Sequence, residues 1–153
     1  VAQLGWFIIS LYDEVRAWKA NGTEVELPFG RSHHKPTIAV DQDREFLLVG
    51  WGPEGTARLD LVSLPSLQQI WYSTPLQYPI AAAVGPEGNK VAALDGETLL
   101  VWNTEFLESK PERYEIAHGA AVVGNHPSLT FDPTGRLVAV IGDSGAGIIP
   151  LPD

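Results

Sequence analysis

The chain contains no cysteine and no methionine, and it has few basic residues. The absence of cysteine excludes a disulfide scaffold, a zinc site built on thiolates and a cysteine nucleophile. No stretch approaches the ~20 consecutive apolar residues of a membrane-spanning helix, and the opening VAQLGWFIISLYDE lacks the basic start of a signal peptide. We therefore expect a cytoplasmic protein.

The absence of methionine also bears on how the chain arises. The first residue is Val1, whereas a primary translation product begins with methionine. We expect the chain to be processed, excised, or a fragment of a larger multidomain protein.

Basic side chains are outnumbered by acidic ones. Ten lysines and arginines face nineteen aspartates and glutamates, so the formal net charge is -9 at pH 7. Such a charge disfavours a phosphate backbone or an anionic membrane surface as the main partner. The composition favours a protein partner over nucleic acid or membrane.

The residues that are present favour many short strands. Hydrophobic residues make up 44% of the 153 residues, which suffices for one buried core, and 15 glycines with 12 prolines supply many turns. Fourteen apolar runs of strand length follow one another, from GWFIIS through RLVAVI to GIIPL. The best helical candidate, residues 103–115, is interrupted by Pro111, and we interpret it as a loop with at most one helical turn.

Internal repeats organise these runs. The segment that begins at Val84 aligns with the segment that begins at Phe131, so that Gly88 matches Gly135 at an offset of 47 residues. A third copy begins at Val40, at an offset of 44 residues from Val84. Both offsets lie near the ~40 to 45 residue period of a four-stranded propeller blade.

Several of these residues carry a resemblance to a known family. The phrase FDPTGRLVAVIGDSG, the residue Asp95 and the pair Trp102, Asn103 resemble the motifs of the WD-repeat β-propeller family, in a degenerate form. His126, just before an inner strand, is similar to the structural histidine of that family. The resemblance implies a propeller fold and a role in protein interaction, although no copy ends in Trp-Asp.

The strand count predicts a partial propeller of about three and a half blades. A single domain over residues 1–153 would hold an incomplete blade without its inner strand at 1–30, two blades at 36–75 and 79–118, and an incomplete blade without its outer strand at 126–153. Such a chain would leave blade edges unpaired and apolar blade faces exposed. We therefore expect the remainder of the propeller, from another chain or a missing segment, among its partners.

The strand meander also predicts which polar residues share one rim. Loops after the second and the fourth strands emerge at the same end of each blade, and they carry His33, His34, His118, His126, Asp13, Trp51, Asp95 and Asp143. We expect Asp41, Asp43 and Asp132 at the opposite end. Asp13, Asp95, Asp143 and His126 suit structural caps of turns and loops, and Gly88 and Gly135 suit turns that need a positive φ.

The remaining rim residues suggest a binding surface. Trp51 lies between two glycines in a hairpin, where packing explains it least, and exposed aromatics beside acidic residues are typical of protein-binding hot spots. We interpret Trp51, His33, His34 and His118 as a candidate partner-binding rim, with no catalytic residue, metal or cofactor. The predicted function is a non-enzymatic interaction scaffold or sensor.

Two alternatives stay open. The rim residues His33, His34, His126 and Asp143 could instead form a metal or small-ligand site of a hydrolase-like propeller enzyme, since imidazole and carboxylate are suitable ligands. A structural subunit of a filament or ring, assembled through blade edges, is the third reading.

Overall fold

The fold is a segment of a β-propeller, as the repeats predict. The computed structural model describes residues 5–29, 36–41, 45–51, 55–64, 66–77, 79–106, 110–116, 127–143 and 145–152. Within those ranges the chain forms fourteen strands and one 3-10 turn, Pro86–Gly88, and contains no α-helix. None of the described segments is a helix long and apolar enough to cross a membrane.

The strands form four sheets, which we call blades 1 to 4, and within each sheet the strands that follow one another in the chain pair antiparallel. Blade 1 has the order β1-β2-β3, blade 2 β4-β5-β6-β7, blade 3 β8-β9-β10-β11 and blade 4 β12-β13-β14. The strands are β1 Trp6–Ser10, β2 Val15–Lys19, β3 Glu24–Val25, β4 Thr37–Val40, β5 Phe46–Trp51, β6 Arg58–Ser63, β7 Gln68–Tyr72, β8 Pro79–Val84, β9 Lys90–Asp95, β10 Thr98–Asn103, β11 Glu112–Glu115, β12 Ser128–Phe131, β13 Leu137–Gly142 and β14 Gly145–Pro150.

Part of the candidate helical segment is extended in the structure. A turn follows β10 at residues 104–105, and the segment then forms β11, the outer strand of blade 3. The pattern ERYE places charged side chains at the edge of the sheet, which disfavours pairing with other chains.

The connections between the first two strands of blades 2, 3 and 4 share one backbone hydrogen bond. The backbone N–H donates to the carbonyl five residues later at Asp41, Gly85 and Asp132, with N–O distances of 3.3, 2.8 and 3.0 Å. Gly88 and Gly135 occupy the same position of this turn, and each has a φ of 68°. The repeat detected in the sequence is therefore a repeat of backbone geometry.

The hydrophobic core consists of three layers, one between each pair of adjacent blades. Successive residues of a strand point to opposite faces, so each inner blade contributes to two layers. In blade 3, Val91 and Ala93 pack towards blade 2, whereas Ala92 and Leu94 pack towards blade 4. This explains why β9 has no polar residue between Val91 and Leu94.

The inner strands stand side by side around a common axis. β8 contacts both β4 and β12, although it shares a sheet with neither of them. The three strands line a groove of about 270 Å³, which Val40, Val84 and Asp132 help to form. Contacts of this kind distinguish a propeller from a β-sandwich, in which two sheets pack through their whole faces.

Candidate functional site

The two terminal blades each have one face that no described blade covers. On blade 1 this open face is formed by Phe7, Ile9 and Trp18, and on blade 4 by Leu137, Ile141 and Ile148. The residues on the opposite faces of these blades pack into the core, as Ile8 and Val138 do. The open faces are therefore outward surfaces of sheets whose inward surfaces are buried.

The open face of blade 4 is equivalent to the face of blade 3 that blade 4 covers, so the exposure of equivalent residues on the two faces can be compared. Ile141 and Ile148 are equivalent to Leu94 and Val101, 47 residues earlier in the repeat. Val101 is 4% exposed because blade 4 covers it, whereas Ile148 is 69% exposed. The sequence thus places core-type residues on a surface that solvent reaches.

The open face of blade 1 is equivalent to the face of blade 3 that blade 2 covers. A turn with the same hydrogen bond follows β2 and β10: Gly22 N donates to Lys19 O, and Phe106 N donates to Asn103 O. Trp18 and Trp102 each directly precede the acceptor residue of that turn, so the two tryptophans are equivalent. Trp102 is buried against Trp71 of blade 2, with ring centroids 5.7 Å apart. Trp18 presents an equivalent indole, but no described blade covers it.

The hairpins after the second strands of the blades carry four of the residues of the predicted rim. Asp13 lies between β1 and β2, Trp51 ends β5, Asp95 ends β9, and Asp143 lies between β13 and β14. These hairpins are equivalent in the repeat, so they emerge at one end of their blades. Asp95 accepts a hydrogen bond from the backbone N–H of Gln77 at 3.1 Å and thereby ties its hairpin to the loop that leads to blade 3.

The predicted histidines lie outside the described residues. This holds for His33, His34, His118 and His126, and also for Asp43 on the opposite rim. Within the described ranges, no three acidic or histidine side chains lie close enough together to hold a metal ion. The partner-binding rim stays a prediction.

Trp51 has close packing partners in its own chain. Its indole N–H donates to the carboxylate of Asp60, its ring lies 6.4 Å from that of Phe29, and the guanidinium carbon of Arg58 lies 5.2 Å from the ring centroid. The same guanidinium lies 5.5 Å from the ring of Tyr72. Arg58 therefore bridges Trp51 and Tyr72 on the side of blade 2 that faces blade 1.

Asp60 is the residue that sequence reasoning missed. Its side chain is fully buried, and it accepts hydrogen bonds from Trp51, from Gln69 and from Arg58 Nε at 3.1 Å. A buried carboxylate needs such donors because its desolvation is otherwise costly. The one available signal was an aspartate between two leucines in the run RLDLVS.

At the opposite end of blade 4, the side chain of Asp132 caps the turn between β12 and β13. Asp132 Oδ1 accepts hydrogen bonds from the backbone N–H groups of Arg136 and Leu137, both at 2.8 Å, and its Oδ2 accepts from the hydroxyl and the N–H of Thr134. The hydrogen bond from the Thr134 side chain, followed by that from the Leu137 N–H, lowers the pKa of Asp132 to about 2. Asp41 caps the corresponding turn of blade 2 through Glu45 N and Phe46 N.

Comparison with solved structures supports the propeller fold. The chain is similar to a chain in the crystal structure of a mitotic checkpoint complex, with a TM-score of 0.73 and 14% identity over 97% of this chain and 44% of that one. It is also similar to Kuenenia stuttgartiensis hydrazine synthase, with a TM-score of 0.61 and 17% identity over 89% of this chain and 39% of that one. At such identities the likeness shows the fold alone. This chain spans less than half the length of either solved chain.

Sequence comparison gives no family. No family profile matches the chain, and no curated protein matches it either.

Proposed function

We propose that this chain is a protein–protein interaction scaffold or sensor module, built as a segment of a degenerate WD-repeat propeller, and not a catalyst. The exposure of Ile141 and Ile148 on blade 4 is the observation that carries the proposal. Contiguous apolar patches of this kind, flanked by polar residues, mark interaction sites in soluble proteins. Similarity to a component of a multiprotein complex fits protein partners as well.

The partner that best fits an open blade face is another blade. Each covered face in this chain is covered by the flat side of a neighbouring sheet, through aliphatic and aromatic side chains. The complementary remainder of a propeller, from another chain or from further sequence of the same protein, has that shape. Trp51, His33, His34 and His118 are proposed as a second contact surface at the rim.

The test of this proposal measures the association of the full chain with its partner. The protein is isolated from cells that make it, any second chain is identified by mass spectrometry, and the affinity of that chain is measured for three proteins. These are the wild type, Ile148→Asp and the control Ile70→Asp, which changes an exposed isoleucine of the outer strand β7.

We expect Ile148→Asp to weaken association by about tenfold or more, because a carboxylate would be buried without a partner in the interface. Ile70→Asp should leave it unchanged. The proposal fails if the native protein is a monodisperse monomer with the mass of these 153 residues alone and no second chain, or if the two variants bind alike.

A further inference from the structure

One arginine of blade 2 is held between two aromatic rings. The guanidinium carbon of Arg58 lies 5.2 Å from the ring centroid of Trp51 and 5.5 Å from that of Tyr72. Its Nε donates to the buried carboxylate of Asp60 at 3.1 Å. These three contacts restrict the side chain, whereas an arginine that only solvent surrounds samples many rotamers. Arg58 therefore presents its guanidinium in a defined orientation.

The outer edge of this guanidinium is open to a ligand. Among the described residues, no acceptor pairs with Nη1 or Nη2 of Arg58, and the side chain is 41% exposed. Since Nε is directed at Asp60, the open edge is the one that the two terminal nitrogens form. These nitrogens present two parallel N–H groups, which is the geometry that a carboxylate accepts in a bidentate pair. The arrangement is a preorganised receptor for a planar anion.

Two other arginines show what is particular to Arg58. Arg16 already pairs with carboxylates, because its terminal nitrogens lie 2.8 Å from Glu14 and 3.8 Å from Glu24. Arg113 is exposed on the edge strand β11, and within the described part of the chain no aromatic ring flanks it. Arg58 combines an open edge with a fixed position, and Arg113 is its matched control.

The charges around Arg58 favour a carboxylate over a phosphate. The carboxylate of Asp60 offsets part of the positive charge, and the whole chain carries a formal net charge of -9. A phosphate dianion meets more repulsion from that net charge than a monoanion does. At physiological ionic strength, charges beyond about 8 Å are largely screened, so a monoanion responds mainly to the guanidinium that it contacts.

The rings that hold Arg58 add an apolar surface beside its open edge. Tyr72 is 57% exposed, and Trp51 is partly exposed. Tryptophan, tyrosine and arginine are the residue types enriched in protein-binding hot spots, because they combine apolar area with a directed polar group. A small carboxylic acid uses the guanidinium alone, whereas a peptide also places an apolar side chain against a ring. This composition favours an acidic side chain within a peptide segment.

We infer that Arg58 binds the carboxylate of a glutamate or aspartate of a partner protein, next to an apolar residue that contacts the ring of Tyr72. Nη1 and Nη2 each donate an N–H to one carboxylate oxygen, while Nε stays on Asp60. The inference rests on the proposed interaction function and names the chemistry that a partner presents at the rim beside Trp51.

The probe is a blocked peptide in which a glutamate lies between two leucines, and the control peptide has glutamine in place of the glutamate. The control keeps the size and the leucines of the probe but removes its charge and one acceptor oxygen. Each peptide is titrated into the full chain at neutral pH and physiological ionic strength, and NMR follows the indole N–H signals of the five tryptophans. We expect the glutamate peptide to shift the signal of Trp51 and to leave that of the buried Trp102 unchanged.

Three protein variants assign binding to the guanidinium. Arg58→Gln should weaken binding of the probe about fivefold or more, because it removes two charge-assisted hydrogen bonds. Arg58→Lys keeps the charge but not the planar fork, and it should also bind clearly more weakly than the wild type. Arg113→Gln removes the same charge from an exposed strand and should leave the affinity unchanged. Urea unfolding checks that each variant is folded, since Trp51 and Gln69 still donate to Asp60 in both Arg58 variants.

Four outcomes would overturn the inference. They are equal binding of the glutamine peptide, wild-type affinity of either Arg58 variant, an equal loss in Arg113→Gln, and tighter binding of inorganic phosphate than of the glutamate peptide. The last result would indicate a phosphate site and not a carboxylate site. The Ile148→Asp experiment decides the proposed function separately, because Ile148 lies on blade 4 and Arg58 on blade 2.

Discussion

Trp71 and Trp102 pack edge to face across the boundary between blades 2 and 3, with ring centroids 5.7 Å apart and ring planes 64° apart. Both side chains are almost fully buried, and neither indole N–H group has a hydrogen-bond partner among the described residues. The pair therefore stabilises the interface by apolar contact and by aromatic geometry. Since each blade packs only on its neighbours, such an interface determines how strongly two blades are coupled.

Replacing Trp102 should lower the free energy of unfolding much more than replacing Trp18, the equivalent residue of blade 1. Trp102→Ala removes a buried ring and should lower the free energy of unfolding by about 3–5 kcal/mol. Trp18→Ala, at the same repeat position on an open face, should cost about 1–2 kcal/mol. Urea denaturation of both variants checks the difference, and equal losses would contradict the burial argument.

A conservative variant separates packing from hydrogen bonding at the same place. Trp102→Phe retains an aromatic ring and removes an N–H for which the described part of the chain offers no acceptor. It should therefore retain clearly more stability than Trp102→Ala in the same denaturation experiment. A loss as large as that of Trp102→Ala would mean that the indole N–H has a role that its surroundings do not explain.

Replacing Gly88 by alanine should lower the stability of the protein for two reasons. The same replacement at Gly96 separates them. Gly88 and Gly96 have φ values of 68° and 65°, so alanine is strained at either site. At Gly88 a Cβ would also come within 2.7 Å of the Phe46 ring, whereas at Gly96 it would meet nothing within 4 Å. Gly96→Ala should cost about 1 kcal/mol from backbone strain, and Gly88→Ala about 1–3 kcal/mol more from the clash.

Thermal and urea unfolding of the two glycine variants test this expectation. Both variants should keep the far-UV circular dichroism of the wild type at 25 °C, which shows that the fold is intact. Equal stability of the two variants would show that Phe46 moves aside without cost.

Sequence reasoning predicted the blades because their signals are local. The spacing between Gly88 and Gly135 and the apolar runs of β9 and β13 follow from turn geometry and from burial on both faces, which every complete blade repeats. The partners of Trp51 could not be predicted in the same way. Asp60 reaches Trp51, and Gln69 reaches Asp60, only through the register of β5, β6 and β7, and a bulge between Leu61 and Val62 shifts that register.

The cap at Asp132 predicts a pH dependence of stability. Its pKa is about 2 in the folded protein, against an ordinary value of 3.8, so the folded state binds this proton less tightly than the unfolded state does. The stabilisation is therefore complete above about pH 4 and is lost as the pH falls towards about 2.

Asp132→Asn measures this contribution. Unfolding of the wild type and of the variant is compared at pH 7, at pH 4 and near pH 2, so that the other carboxylates cancel in the difference. The wild type should be the more stable protein at neutral pH, and the difference should shrink as the pH approaches 2. A difference that stays constant over this range would show that the charge of Asp132 does not contribute.

Trp51 offers a test that distinguishes a structural role from a binding role. Trp51→Phe keeps a ring near Phe29 and Arg58 but removes a donor to the buried carboxylate of Asp60. Leaving a buried acceptor with one donor fewer should lower the free energy of unfolding by about 1–3 kcal/mol. Tyr72→Phe, which keeps the ring beside Arg58, should change it by less than about 0.5 kcal/mol.

The same variants should be measured for association with the partner. If Trp51 acts through Asp60 alone, Trp51→Phe weakens folding and leaves the affinity of the folded protein unchanged. If the rim predicted from the sequence binds a partner through Trp51, the affinity falls as well, and Tyr72→Phe does not reproduce the loss. Unchanged stability of Trp51→Phe would contradict the structural role, because no other described side chain replaces the indole N–H as a donor to Asp60.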